Sequence, residues 1–184
     1  MTRKAWLIGL ASIAIVTSTR AAHALGPIGV EIGAKAGAGT TPVSGIGVNP
    51  LGFGIGARAG VVLFDHLYGG VNLMYYFGGT SNVGDYAGDS LNMWMYGVEA
   101  GWGFTLTDIL TIRPQVGLGN ASFSDRSPSG SDTATSYLYV EPGLTGVLSL
   151  GTLFVGADAN GLFFPGLSNG SAAFTLHGQL GVKF

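Results

Sequence analysis

The chain has 184 residues, of which 33 are glycine and only 10% are charged, against about 25% charged in an average globular domain. Cysteine is absent, which excludes disulfide bonds, a thiolate metal site and anchoring by a lipid-bearing cysteine. The formal net charge of -2 provides no basic footprint, so we predict that the protein does not bind nucleic acid.

The N-terminus has the pattern of a secretory signal peptide. Two basic residues precede an apolar run at 5–16, and a small-x-small motif ends at Ala24. The run is too short for a membrane-spanning helix, which needs about 20 residues. We therefore predict that residues 1–24 are a cleaved signal peptide and that residues 25–184 form one domain with an excess of acidic side chains.

After the signal peptide, apolar side chains recur at every second position in eight segments. This period is typical of β-strands, whose successive side chains point to opposite faces. In chain order the segments are 28–35, 53–63, 67–77, 94–106, 110–118, 138–148, 153–159 and 174–184. The charged residues within them all fall opposite the apolar row: Glu31, Lys35, Arg58, Glu99, Arg113, Glu141, Asp158 and Lys183. Because a bilayer accepts only apolar groups on its side, we predict that the charged face lines a lumen.

Connections between the segments alternate between short and long. Short turns are predicted at 64–66, 107–109 and 150–151. Longer segments rich in glycine, serine and aspartate lie at 38–51, 78–91, 120–136 and 160–171. Outer-membrane barrels combine short periplasmic turns with long outer loops, so the sequence predicts an all-β, closed, antiparallel up-and-down barrel of eight strands. Pro114 and Pro142 lie inside predicted strands, where the missing N–H predicts a bulge.

The last segment alternates in polarity and ends the chain on phenylalanine. Its apolar row is Phe174, Leu176, Leu180, Val182 and Phe184. This segment resembles the C-terminal assembly signal of bacterial outer-membrane proteins. In length, strand number and loop pattern the chain resembles the small OmpA/OmpX-like (porin-like) barrels of Gram-negative outer membranes. The resemblance implies contact with outer-membrane lipids, handling by periplasmic chaperones, and insertion by the barrel-assembly machinery.

Aromatic residues cluster at two levels, as expected for rings that prefer the depth of lipid headgroups. One predicted band contains Tyr75, Tyr76, Phe77, Trp94 and Tyr96. The other contains Phe64, Trp102, Phe104 and Phe184.

The predicted lumen network consists of the inward charges and one histidine: Glu31, Lys35, Arg58, Glu99, Arg113, Glu141, Asp158 and His177. An eight-stranded barrel is just wide enough for its own side chains, so inward charges must meet one another or water. We predict that Arg113 bridges Glu99 and Glu141 on the neighbouring strands and thereby plugs the barrel. The alternative is a conduction path lined by these charges, with space left by the lumen glycines.

No catalytic, cofactor-binding or metal site is predicted. The sequence favours a non-enzymatic outer-membrane barrel with a structural or surface-interaction role, and a narrow passive channel for ions or small solutes is the alternative. A lipid-modifying enzyme that uses a relay between His177 and Asp158 is a weaker option, because no nucleophile can be nominated. A surface ligand of the outer loops and the oligomeric state stay open.

Overall fold

The computed structural model describes residues 28–40, 51–78, 90–126, 132–166 and 172–184. The predicted signal peptide lies outside these residues. Nine β-strands are present in them: β1 (Ile28–Thr40), β2 (Phe53–Leu63), β3 (Leu67–Tyr76), β4 (Ser90–Trp102), β5 (Phe104–Thr105), β6 (Leu110–Arg126), β7 (Asp132–Leu150), β8 (Leu153–Phe163) and β9 (Ala172–Lys183). Within the same ranges, no helix is long and apolar enough to cross a membrane.

The strands form one closed antiparallel barrel. Apart from β4 and β5, each strand pairs with its neighbours in sequence, and β1 also pairs with β9, which closes the sheet. β4 and β5 both pair with β6 in the same register and are separated only by Gly103, so together they make one wall strand. The prediction of an eight-stranded up-and-down barrel is confirmed. Three short turns and the two ends of the described chain lie at one end, called here the short-turn end, and the opposite end is called the long-loop end.

The strand boundaries agree best with the prediction at the short-turn end. β2 has its predicted limits, and the turn at 64–66 reverses the chain with Phe64 and Asp65 at positive φ (54° and 64°). At the long-loop end the predicted loops are too long, because β1 continues to Thr40 and the β6–β7 ladder continues to the pair Arg126 and Asp132. Beyond the bilayer the backbone ladder no longer needs an apolar face, so the alternation that marks a strand is lost while the pairing continues.

The bulges predicted at Pro114 and Pro142 are wrong. Both prolines face outward, and the β6–β7 register passes through them without an extra residue. Each proline lies where the ladder on one side lapses: Pro114 faces the break between β4 and β5, and Pro142 lies in a gap of the β7–β8 ladder. Proline has no N–H to donate, and here the ladder drops the affected pairs and resumes in the same register.

The outer surface of the barrel is apolar. Outward side chains such as Ile55, Val98 and Leu176 are exposed, and no charged strand residue whose side chain is described faces outward. Tyr75 packs on Trp94 near the long-loop end, and Trp102 stacks on His66 near the other end. Such an exterior is that of a protein embedded in a bilayer.

One residue of the predicted aromatic bands lies on the other side of the wall. Tyr76 is fully buried in the interior, because its neighbours Tyr75 and Phe77 occupy the outward positions and a strand alternates its faces. Phe77 and Trp94 are exposed as predicted.

Candidate functional site in the barrel interior

The interior is filled by side chains in three layers. At the long-loop end lies a buried cluster, mostly apolar: Leu51, Met74, Tyr76, Met93, Met95, Ala121, Tyr139, Leu162, Phe164 and Ala173. A middle layer holds the charged residues. At the short-turn end the ring of Phe154, fully buried, lies against the backbone of Gly33 and Gly181, where any larger side chain would collide with it.

Glu31 is the centre of the first ion-pair group in the middle layer. Arg113 donates to both of its carboxylate oxygens, from Nη1 at 3.0 Å and from Nη2 at 2.9 Å. Arg58 donates to the same carboxylate from Nη2 at 3.2 Å and to the amide oxygen of Gln179 at 2.7 Å. All four side chains are buried, so these bonds form away from water, where a charged group needs a partner.

The predicted bridge from Arg113 to Glu99 and Glu141 is wrong. Arg113 crosses the lumen to Glu31 on β1 instead of pairing with the strands beside it. Glu99 accepts from Tyr68 Oη at 2.7 Å and from Asn72 Nδ2 at 3.2 Å, and Arg58 lies 3.5 Å from it. An arginine side chain is long enough to cross a small barrel, so strand adjacency does not determine its partner.

Both guanidinium groups lie over the ring of Tyr68. The guanidinium carbon of Arg113 lies 4.2 Å from the ring centroid, and that of Arg58 lies 4.5 Å from it. The negative π-system of the ring attracts both cations. The ring occupies space over Gly60 and Gly70, so these glycines make room for it.

Asp158 is the centre of the second group. It lies 3.1 Å from Lys35 Nζ through Oδ2, while Oδ1 lies 2.7 Å from His177 Nδ1. The other ring nitrogen of His177, Nε2, lies 2.6 Å from Tyr76 Oη. Because a carboxylate only accepts, Nδ1 of His177 donates to Asp158. The pair considered for a relay is therefore in contact, although it lies buried below the apolar cluster.

Glu141 is inside the barrel as well, and its side-chain hydrogen-bond neighbour is Asn160, which also donates to Asp158. Its side chain is buried, and it forms no salt bridge with any residue that the structure describes. The structure thus places all eight residues of the predicted network in the lumen, joins seven of them in two groups and leaves the eighth without an ion partner.

The predicted assembly signal lies on the lipid side of β9. Phe174, Leu176 and Leu180 are exposed there, and Val182 is half-buried. Phe184 continues the ladder to β1, since its N–H donates to Val30 O and its carbonyl accepts from Val30 N, both at 2.9 Å. The terminal residue is therefore part of the wall that closes the barrel.

The alternation also predicts that Asn72, Met74 and Gln179 face the lumen, and they are buried there. Tyr68 and Asn160 were not predicted as members of the middle layer, although both bond to charged residues. Each occupies an inward position of its strand, so the same period-two rule would have found them. Charge alone drew attention to the network, and these side chains carry none.

The sequence matches no family model and no curated protein, whereas several solved structures share the fold. Neisserial surface protein A is similar with a TM-score of 0.65 and 14% identity over 86% of this chain and 97% of that one. The N-terminal β-barrel domain of Pseudomonas aeruginosa OprF is similar with a TM-score of 0.62 and 15% identity over 85% and 97%. Ail, the attachment invasion locus protein of Yersinia pestis, in complex with the heparin analogue sucrose octasulfate, is similar with a TM-score of 0.56 and 14% identity over 85% and 97%.

These matches cover nearly all of each solved barrel, and they agree with the closed sheet described above. The chain therefore has the fold of the small OmpA/OmpX-like outer-membrane β-barrels.

Proposed function

We propose that the protein is a non-enzymatic barrel of the outer membrane with a structural or surface-interaction role, and that its lumen is closed. The proposal includes export by the signal peptide at 1–24. Its main support is the filled interior, in which a mostly apolar cluster, an ion-paired layer and a buried phenylalanine follow one another along the axis.

The same interior argues against a passive channel. Tyr76, Tyr139 and Phe154 have no exposed surface, so an ion that crossed the lumen would have to displace each layer in turn. The arginines and carboxylates bind one another and leave few charges free to coordinate a passing ion. An eight-stranded barrel is expected to be filled in this way.

An enzymatic role finds little support in the arrangement around His177. Asp158 and Tyr76 occupy its two ring nitrogens, and all three side chains are buried below the apolar cluster. A substrate would have no access to them. The described residues next to the imidazole include no serine or cysteine that could serve as a nucleophile.

Any surface role is assigned to the long-loop end. In the sequence, the loops and their flanks carry Asp85, Asp89, Asp125 and Asp132 against one basic residue, Arg126. An acidic surface repels polyanions. We therefore propose that a ligand of this barrel differs in charge from the sulfated heparin analogue bound to Ail.

Planar-bilayer recording tests the closed lumen. The purified barrel should give little or no steady current under conditions in which a large porin, as a positive control, conducts. The Arg113→Met variant should stay closed to steady current, because the layers at both ends remain. Large, stable wild-type currents whose ion selectivity changes in Arg113→Met would instead mean that the charges line a working channel.

A further inference from the structure

Four polar side chains surround Gly143 on the inner wall of the barrel. Gly143 pairs with Gln115 of β6 on one side and with Asn160 of β8 on the other. Glu141 and Thr145 are the inward residues immediately before and after it on β7. Gln115, Glu141, Thr145 and Asn160 are called here the acceptor cluster.

Three oxygens of the acceptor cluster lack hydrogen-bond donors among the described residues. The amide oxygens of Gln115 and Asn160 and the hydroxyl oxygen of Thr145 are buried, and none has a hydrogen-bond partner among the described residues. The orientation of Asn160 is determined by its nitrogen, which donates to Asp158 Oδ1 at 2.7 Å. Its oxygen therefore lies over Gly143, where a Cβ would collide with it. Buried acceptors without donors are rare in native proteins, so they indicate that a further group is present.

The charges in the lumen indicate the sign of that group. Of the four buried carboxylates, Glu31, Glu99 and Asp158 form salt bridges with Arg58, Arg113 or Lys35. Glu141 forms no salt bridge with any residue that the structure describes, so the carboxylate without an ion partner belongs to the acceptor cluster.

We propose that the acceptor cluster binds one small monovalent cation. Carboxylate, amide and hydroxyl oxygens are the ligands that hard cations prefer. One positive charge neutralises the one unpaired carboxylate, whereas a divalent ion would leave an excess that no second free carboxylate of the cluster balances. Glycine at position 143 makes room for the amide oxygen of Asn160, which occupies the space that a Cβ would take.

Such an ion would be linked to folding. The lumen is closed above and below the cluster, so the cation enters while the barrel closes and is retained in the folded state. A ligand that binds the folded state alone raises stability in proportion to the logarithm of its concentration above the dissociation constant.

The full chain is refolded into detergent micelles at one ionic strength in LiCl, NaCl, KCl or N-methyl-D-glucamine chloride, whose cation is too large for the cluster. Thermal midpoints are then measured by circular dichroism. We expect at least one alkali cation to raise the midpoint over the glucamine salt, with saturation. At ten times the dissociation constant the folded-to-unfolded ratio rises about elevenfold, which corresponds to roughly 3 to 6 °C.

Glu141→Gln should abolish the dependence on the cation. Thr145→Val, which changes the shape little, should fold and shift the half-saturating concentration upward. Glu99→Gln is the matched control, because it removes a buried carboxylate that already has partners, and it should keep the wild-type dependence.

Equal wild-type midpoints in all four salts would overturn the proposal, as would a cation effect of full size in both Glu141→Gln and Thr145→Val. A third contrary outcome is a stabilisation by low pH in the glucamine salt that equals the alkali effect and requires Glu141. That result would identify a bound proton in place of the metal ion.

Discussion

Glu31 binds two arginines at once, and we expect the Glu31→Gln substitution to weaken the barrel strongly. The carboxylate accepts three hydrogen bonds, at 2.9, 3.0 and 3.2 Å. Glutamine has one oxygen and one amide nitrogen, so at least one guanidinium would face a donor. Arg113 donates to no other described residue, and its charge would be left buried without a partner, at a cost of about 3 to 5 kcal/mol.

Arg113→Met should cost less, although it removes the partner of the same pair. Glu31 keeps its bond from Arg58 in that variant, so the loss is that of a charged hydrogen bond, about 1.5 to 3 kcal/mol. The double variant should be more stable than the sum of the single effects predicts, by about 1 to 3 kcal/mol, because no unpaired guanidinium remains at position 113.

Equilibrium urea unfolding of the refolded barrel, followed by tryptophan fluorescence, measures these differences. Asp65→Asn is the matched control: it removes a carboxylate in an exposed turn, and asparagine accepts the positive φ found there. The reasoning is refuted if Glu31→Gln unfolds within about 1 kcal/mol of the wild type, since water would then reach the guanidinium groups and replace the carboxylate.

Two further substitutions test the short-turn end and the seam of the barrel. Phe154→Ala should lower the free energy of unfolding by about 3 to 5 kcal/mol, because it empties a fully buried site. Phe163→Ala, at an outward position on the same strand, should cost clearly less in the same unfolding assay. Equal losses would contradict the role of Phe154 as a plug. Deletion of Phe184 should reduce the amount of inserted barrel, measured as protein with heat-shifted gel mobility. The reason is that two backbone hydrogen bonds to Val30 and the terminal aromatic ring are lost together. Normal membrane levels of the truncated chain would contradict this prediction.

Much of the wall was predictable because strand alternation is a local property. A side chain two positions along a strand returns to the same face whatever the rest of the chain does. The limits of β2 at Phe53 and Leu63, the lumen side of Asn72 and Met74, and the eight-stranded closure all follow from that rule. It failed at the long-loop end, as at Thr40, because the backbone pairing continues past the last residues of the predicted alternation.

The partners inside the lumen required the tertiary structure. Sequence placed Arg113 beside Glu99 and Glu141 because their strands are neighbours, yet the side chain reaches Glu31, 82 positions away along the chain. The alternation also does not show that both guanidinium groups lie over Tyr68, or that Glu141 has no ion partner among the described residues. Alternation determines which face a residue occupies. Which long side chains meet across the lumen depends on the curvature of the barrel and on the space that its glycines leave. The curvature and that space exist only once the sheet has closed.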